Sequence, residues 1–176
     1  MELFTKRLLI REMAADDWQA VRRIVEDFIH SDVAVYDCAP PVDELPLRQW
    51  IAEMDHMLFA VLPRDTGEVI GYICFHGDSE NYDMGYCFHS GSHGNGYALE
   101  GCGALLRHMT ETRGIGRFSA GTALENRSSV RLLERLGFAL DGTETLSLQK
   151  DSEGKDISFT GGNFSYTPHP GNPSSR

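Results

Sequence analysis

Apolar residues along the chain follow two rhythms, and each change of rhythm marks a change of element. Residues 3–11 read as a first strand, followed by a helix that opens at Ala15-Asp16-Asp17, with acid in its first turn where the helix dipole favours it. Trp18, Val21, Ile24, Val25 and Phe28 recur at helical spacing and form its inward face. Residues 31–46 break the rhythm, and Pro40-Pro41 forbid a continuous helix there. Leu47, Trp50, Ile51 and Met54 restore helical spacing for a short helix. Two apolar strands, 57–62 and 68–76, then flank Asp65-Thr66-Gly67, a good hairpin turn.

The richest stretch is 81–113. It begins as an apolar and aromatic strand (82–88) and passes into Gly91-Ser92-His93-Gly94-Asn95-Gly96. It then becomes a helix with Ala98, Cys102, Leu105, Leu106 and Met109 on one face. After Gly114-Ile115-Gly116 come a strand at 118–124 and a helix at 128–136 that stops at Gly137, a suitable left-handed cap. Strand, helix and strand across 82–124 define a right-handed β-α-β unit with parallel strands. A last hairpin, 143–149 with 155–159, turns at Asp151-Ser152-Glu153-Gly154. The tail from Thr167, rich in Pro, Ser and Gly, reads as poorly ordered, leaving one domain over residues 5–166.

Composition narrows the class. With 176 residues, 41% of them hydrophobic, the chain can bury a real core as one soluble domain. No apolar run reaches membrane-spanning length and no signal-peptide pattern opens the chain, so neither a membrane nor export is expected. Cys38, Cys74, Cys87 and Cys102 are scattered, three of them in apolar elements. They read as thiols of a reducing, cytoplasmic compartment. A formal net charge of −10 argues against nucleic acid, whose phosphates need clustered Lys and Arg, and is compatible with a cationic amine.

A strand feeding a glycine loop that opens a helix builds an anion site, because backbone N–H groups converge and the helix N-terminus adds positive potential. The dinucleotide fingerprint fails, since the third position after Gly96 is Leu99. The nucleotide P-loop fails because no Gly-Lys-Ser/Thr occurs here. His93-Gly94-Asn95-Gly96-Tyr97-Ala98 instead resembles the pyrophosphate loop of the GNAT superfamily of acyl-CoA N-acyltransferases, Arg/Gln-x-x-Gly-x-Gly/Ala. With Glu100, it is most similar to the branch containing the ribosomal-protein N-terminal alanine acetyltransferases. Asn126-Arg127-Ser128-Ser129 through Leu136-Gly137-Phe138 matches that branch's Asn-x-x-Ser…Leu-Gly-Phe segment, and Thr5-Lys6-Arg7-Leu8-Leu9-Ile10-Arg11 matches more weakly. His93 departs from the usual arginine or glutamine.

The resemblance implies a mixed α/β GNAT fold: a mostly antiparallel central sheet with one splayed parallel strand pair, flanked by helices. It implies acetyl-CoA as co-substrate and no metal. Main chain around Cys87, Phe88 and His89 would hold pantetheine, with Asn126 reaching it from the second parallel strand. His93, Gly94, Asn95, Gly96, Tyr97 and Ala98 would hold the pyrophosphate. Leu133 stands where many members carry a tyrosine acid, so Ser129 is the natural donor to the leaving thiolate, against a bland role as helix cap or cofactor contact. Asp83, where the family often has glutamate, is expected as base through water or as the charge that orients an ammonium. Tyr36 and Trp50 lie in the region that covers the acceptor site in the family, and a place in the core suits them equally.

Magnitudes favour an easy acceptor. An α-amine with pKa ~8 is about a tenth neutral at pH 7, whereas a lysine amine at ~10.4 is neutral in less than about one part in a thousand. A weak base therefore suits an α-amine. Cys87, His89 and His93 make a poor zinc set, because only three candidates lie together and no second Cys/His pair follows. A Cys87–His89 nucleophile has nothing to orient its imidazole. The expected activity is N-acetyl transfer to a primary amine, a protein N-terminus included. A small-molecule (antibiotic or polyamine) acetyltransferase and a non-catalytic acyl-CoA-binding module are the rivals, and a homodimer is admissible.

Overall fold

The computed structural model describes residues 1–54, 57–78 and 81–168. Among these, eight strands form one mixed sheet: β1 (Glu2–Phe4), β2 (Leu8–Glu12), β3 (Leu58–Pro63), β4 (Gly71–Gly77), β5 (Tyr82–Phe88), β6 (Phe118–Ala123), β7 (Ala139–Lys150) and β8 (Asp156–Tyr166). Four α-helices cover it: α1 (Trp18–Ile29), α2 (Glu44–Glu53), α3 (Tyr97–Arg113) and α4 (Arg127–Leu136). The strand order is β1-β2-β3-β4-β5-β6-β8-β7, and every neighbouring pair is antiparallel except β5 with β6. No described helix is long and apolar enough to cross a membrane.

The sheet has a buried layer on each face. On one side Leu105, Leu106 and Met109 of α3 and Leu133 of α4 pack on Ile10, Val61, Ile73, Met84 and Phe118. On the other, Val21, Ile24 and Val25 of α1 and Leu47 and Ile51 of α2 pack on Leu58, Tyr72 and Cys74. All six residues of β3 are buried, as a strand covered on both faces requires.

Three boundaries depart from the sequence expectation, each for a local reason. The single strand expected over residues 3–11 is two strands, because Thr5 turns the chain. Its N–H donates to Leu8 O at 2.9 Å and its Oγ1 accepts from Leu8 N at 2.9 Å. The short helix begins at Glu44 and includes Pro46, tolerated in a first turn where no helical N–H is needed. The final hairpin is longer than 143–149 with 155–159, since β7 pairs with β8 from Ala139 to Lys150. Gly67 and Gly137 sit at φ +68° and +94°, as the turn and the helix stop require. The tail expectation concerns residues 167–176, of which 169–176 lie outside the described residues.

Candidate active site

The parallel pair opens almost as soon as it forms. Ladder pairing joins Tyr82 to Phe118 and Asp83 to Ser119 and goes no further. Beyond it, β5 stays paired with β4 as far as Phe88 opposite Gly71, and β6 with β8 as far as Ala123 opposite Gly161. The facing edges of the two strands therefore diverge and leave main-chain donors and acceptors available to an extended ligand. Cys87, Phe88 and His89 lie on one arm of this gap, and Asn126 follows the other.

The gap runs into the glycine loop. Gly94 and Gly96 both take left-handed conformations, at φ +76° and +77°. A Cβ at Gly94 would meet nothing within 4 Å, and one at Gly96 only Arg7 Nη2 at 3.6 Å, so both glycines face open space. Gly96 is the N-cap of α3 and offers no side chain to it. The first helical bond runs from Glu100 N to Gly96 O, so the N–H groups of Tyr97, Ala98 and Leu99 precede the helical ladder. Such a terminus suits an anion.

Side chains brace this loop. Asn95 Nδ2 donates to Ser92 O and His93 O, both at 3.2 Å. The His93 ring makes its 2.9 Å contact with Phe88 O through Nε2, so that nitrogen ties the loop to the end of β5. Arg7, within the weakest of the three sequence matches, reaches the loop as well. Its Nη1 donates to Asn95 O at 2.8 Å, its Nε donates to Glu100 Oε2 at 2.7 Å, and the guanidinium lies 4.8 Å from the centroid of the Tyr97 ring. Desolvation pushes the Glu100 carboxyl up. It is outweighed by donors from Thr5 Oγ1 and from the backbone and side chain of Arg7, so the net shift is downward.

Alternation along β5 separates the other candidates. Met84, Tyr86 and Phe88 face the α3–α4 layer, whereas Asp83, Gly85 and Cys87 face the α1–α2 layer. On the first face, Tyr86 Oη and Ser129 Oγ share a 2.7 Å hydrogen bond. Burial raises the Tyr86 pKa well above the usual phenol range, so the hydroxyl keeps its proton. Asn126, not Ser129, caps α4. Its Oδ1 accepts from Ser129 N at 3.2 Å and from Ser128 Oγ at 2.9 Å. Leu133 is fully buried.

On the second face, Asp83 is exposed at the closed end of the gap, where Ser119 Oγ donates to its Oδ1 at 2.9 Å. Burial pushes the Cys87 thiol up to about 12, with Tyr72 as its hydrogen-bond partner. It is not a thiolate nucleophile at neutral pH. Tyr36 and Trp50 part company. Tyr36 lines a cavity of about 180 Å³ beside β6 and packs edge-on against Phe159 at 5.4 Å. Trp50 instead packs against Tyr72 at 5.8 Å in the α1–α2 layer.

Sequence reasoning gave no role to Tyr86 or Arg7. Tyr86 reads as one more aromatic of a buried strand until the fold sets it against Ser129. Arg7 lies within the weakest matching segment, and its reach to the loop depends on the Thr5 turn. Asp37, which lines the cavity beside β6, falls in the irregular segment that carries no periodic signal.

A glycine loop, an uncapped helix and a splayed parallel pair on a mixed sheet define an acyl-CoA-type acetyltransferase frame. Residues 7–139 match the acetyltransferase (GNAT) domain model, and the chain belongs to that family. It is 29% identical over 158 residues to the uncharacterized N-acetyltransferase YnaD of Bacillus subtilis (strain 168), covering 87% of this chain and 91% of that protein. A GNAT-family acetyltransferase from Bacillus anthracis superposes with a TM-score of 0.77 at 26% identity, over 95% of this chain and 98% of the other. RimL, a ribosomal L7/L12 α-N-protein acetyltransferase solved with coenzyme A, has the same fold at a TM-score of 0.77 and 14% identity, over 95% and 98% of the two chains.

Proposed function

We propose that this chain transfers the acetyl group of acetyl-CoA to a primary amine in the cytoplasm, with an α-amine, as at a protein N-terminus, as the favoured acceptor. The observation that carries the reading is the gap between β5 and β6, which opens onto the left-handed glycines and the uncapped start of α3. Gly94, Asn95, Gly96, Tyr97 and Ala98 would receive the pyrophosphate on backbone N–H groups, with His93 bracing the loop. Main chain at Cys87, Phe88 and His89, with Asn126 opposite, would hold the pantetheine arm. A backbone N–H near Phe88 would polarise the thioester carbonyl, a contribution typically of about 10²–10³ in rate.

The two faces of β5 would then divide the protons. On the α3–α4 side Ser129, held by Tyr86, would protonate the departing thiolate. On the α1–α2 side, Asp83 would accept the proton of the ammonium, directly or through water. RimL acts on an α-amine and was solved with coenzyme A, which supports the acceptor class and co-substrate proposed for this chain. Thiol release from acetyl-CoA, measured with α-amine peptides, free small amines and no acceptor, tests the reading. Acceptor-dependent release favouring α-amines is expected. Preference for polyamines or antibiotics would assign the small-molecule alternative, and tight CoA binding without release would assign a binding module.

A further inference from the structure

The irregular segment after α1 carries a carboxylate into the cavity beside β6. Asp37 ends the 3-10 turn Ala34–Tyr36 and lines that cavity together with Phe28, Val33, Phe159 and Asn126. It lines the cavity with Gly121, Thr122 and Ala123 of β6. Asp37 is exposed, yet desolvation raises the pKa of its carboxyl, opposed by the Cys38 N–H at 2.7 Å. A carboxylate so placed gains when a cation arrives.

The turn is held in place from the far side of the molecule. Gln149 Nε2 donates to Ala34 O at 2.8 Å and to Asp37 O at 3.1 Å. A register shift between Ser147 and Gln149 in β7 makes this reach available, since a bulge re-aims the side chains around it. Leu148 of the same bulge lines the cavity beside Leu146. The walls mix apolar side chains (Phe28, Leu146, Leu148 and Phe159) with polar ones (Thr122, Asn126 and Asn163), and among the lining residues Asp37 is the one carboxylate, with no Lys or Arg. A volume of about 180 Å³ holds roughly six waters, or one amino-acid residue.

We propose that Asp37 receives the ammonium of the acceptor. The cavity it lines then selects an α-amine that carries a single positive charge, whether free or starting a peptide. This rests on the acetyltransferase reading above and assigns recognition to Asp37, leaving proton removal to Asp83. One carboxylate, with no other charged residue in the lining, matches one charge, and a polycation would bring further ammonium groups without charged partners. Gln149 is a positioning residue that keeps the turn in register with the cavity.

The test uses the full chain, acetyl-CoA, and phenylalaninamide, a tripeptide amide beginning with phenylalanine, and spermidine. Wild type is expected to turn over at least one of the first two with higher kcat/KM than spermidine. Asp37→Asn is expected to raise the acceptor KM about 10- to 100-fold, the scale of a lost charge-assisted hydrogen bond, with kcat, Tm and acetyl-CoA affinity by calorimetry little changed. Asp37→Glu should recover part of the loss. The wild-type KM should rise with ionic strength and the Asn variant's should not. Gln149→Ala should shift KM in the same direction by less. An unchanged acceptor KM, a loss confined to kcat, or preference for spermidine would overturn the assignment of Asp37 while leaving acetyl transfer standing. Absence of turnover by wild type with every amine would remove the underlying reading and this one with it.

Discussion

At the residue scale, the proposed chemistry rests on two hydroxyls, Ser129 and Tyr86, and a carboxylate, Asp83. Ser129→Ala should lower kcat more than it raises the acetyl-CoA constant, because a donor to the thiolate acts only in the transition state. A change confined to the acetyl-CoA constant would make Ser129 a cofactor contact. Tyr86→Phe removes the 2.7 Å partner of Ser129 and leaves the ring in the core, so turnover should fall with little change in Tm. Equal turnover would mean that Ser129 is oriented without it. Asp83→Asn should cost about 10²–10⁴ in turnover if Asp83 takes the proton, and the deficit should shrink as pH rises and free amine becomes available. Near wild-type turnover at neutral pH would take Asp83 out of the mechanism. Asp83 and Ser129 stand out in the sequence as candidates through their strand and motif positions. The Tyr86–Ser129 bond and the place of Asp37 at the cavity do not, since they depend on which elements the fold brings near.

The glycine loop with α3 is the element to which co-substrate binding is assigned in the proposed function. Gly96→Val forces a β-branched residue to φ +77°, at a cost of about 1–3 kcal/mol, and places methyl groups in the open space at the loop. Loss of CoA binding by calorimetry with retained cooperative unfolding is expected, and unchanged affinity would contradict the phosphate-loop assignment. Glu100 fastens this element to the β1–β2 turn. Its folded pKa is lowered from the ordinary 4.5, so its contribution is fully present above that value and is lost as pH falls through the depressed folded pKa. Glu100→Gln should therefore lower stability at pH 7 by about 1 kcal/mol, Arg7 being well exposed, and the gap in Tm to wild type should close at acid pH. A gap independent of pH would show that the charge is not what fastens the loop. The loop and helix were legible because Gly94, Gly96 and the spacing after them are local signals. The two-strand opening was not, because it is closed by Thr5 bonding to its own backbone.

Across the described residues, one sheet separates two buried layers, and its one parallel pair, β5 with β6, parts after two residue pairs. Acidic and donor groups are delivered to opposite faces of β5: Tyr86 and Ser129 to one, Asp83 to the other. Helical and alternating apolar periods gave the elements and, through the β-α-β unit, the parallel pair, while the helix-flanked sheet followed from the family resemblance. They could not foresee where pairing between β5 and β6 stops, since that is fixed by partners on either side, Gly71 for Phe88 and Gly161 for Ala123. The account rests on acetyl transfer through the gap between β5 and β6. Its most direct test is coenzyme A release measured together with the mass of the amine product, wild type against Gly96→Val, with an α-amine acceptor present or absent. Release that requires acceptor, matches N-acetyl product mole for mole and vanishes in the variant is the expected result. Wild-type protein that binds CoA yet yields no acetylated amine with any acceptor would contradict it.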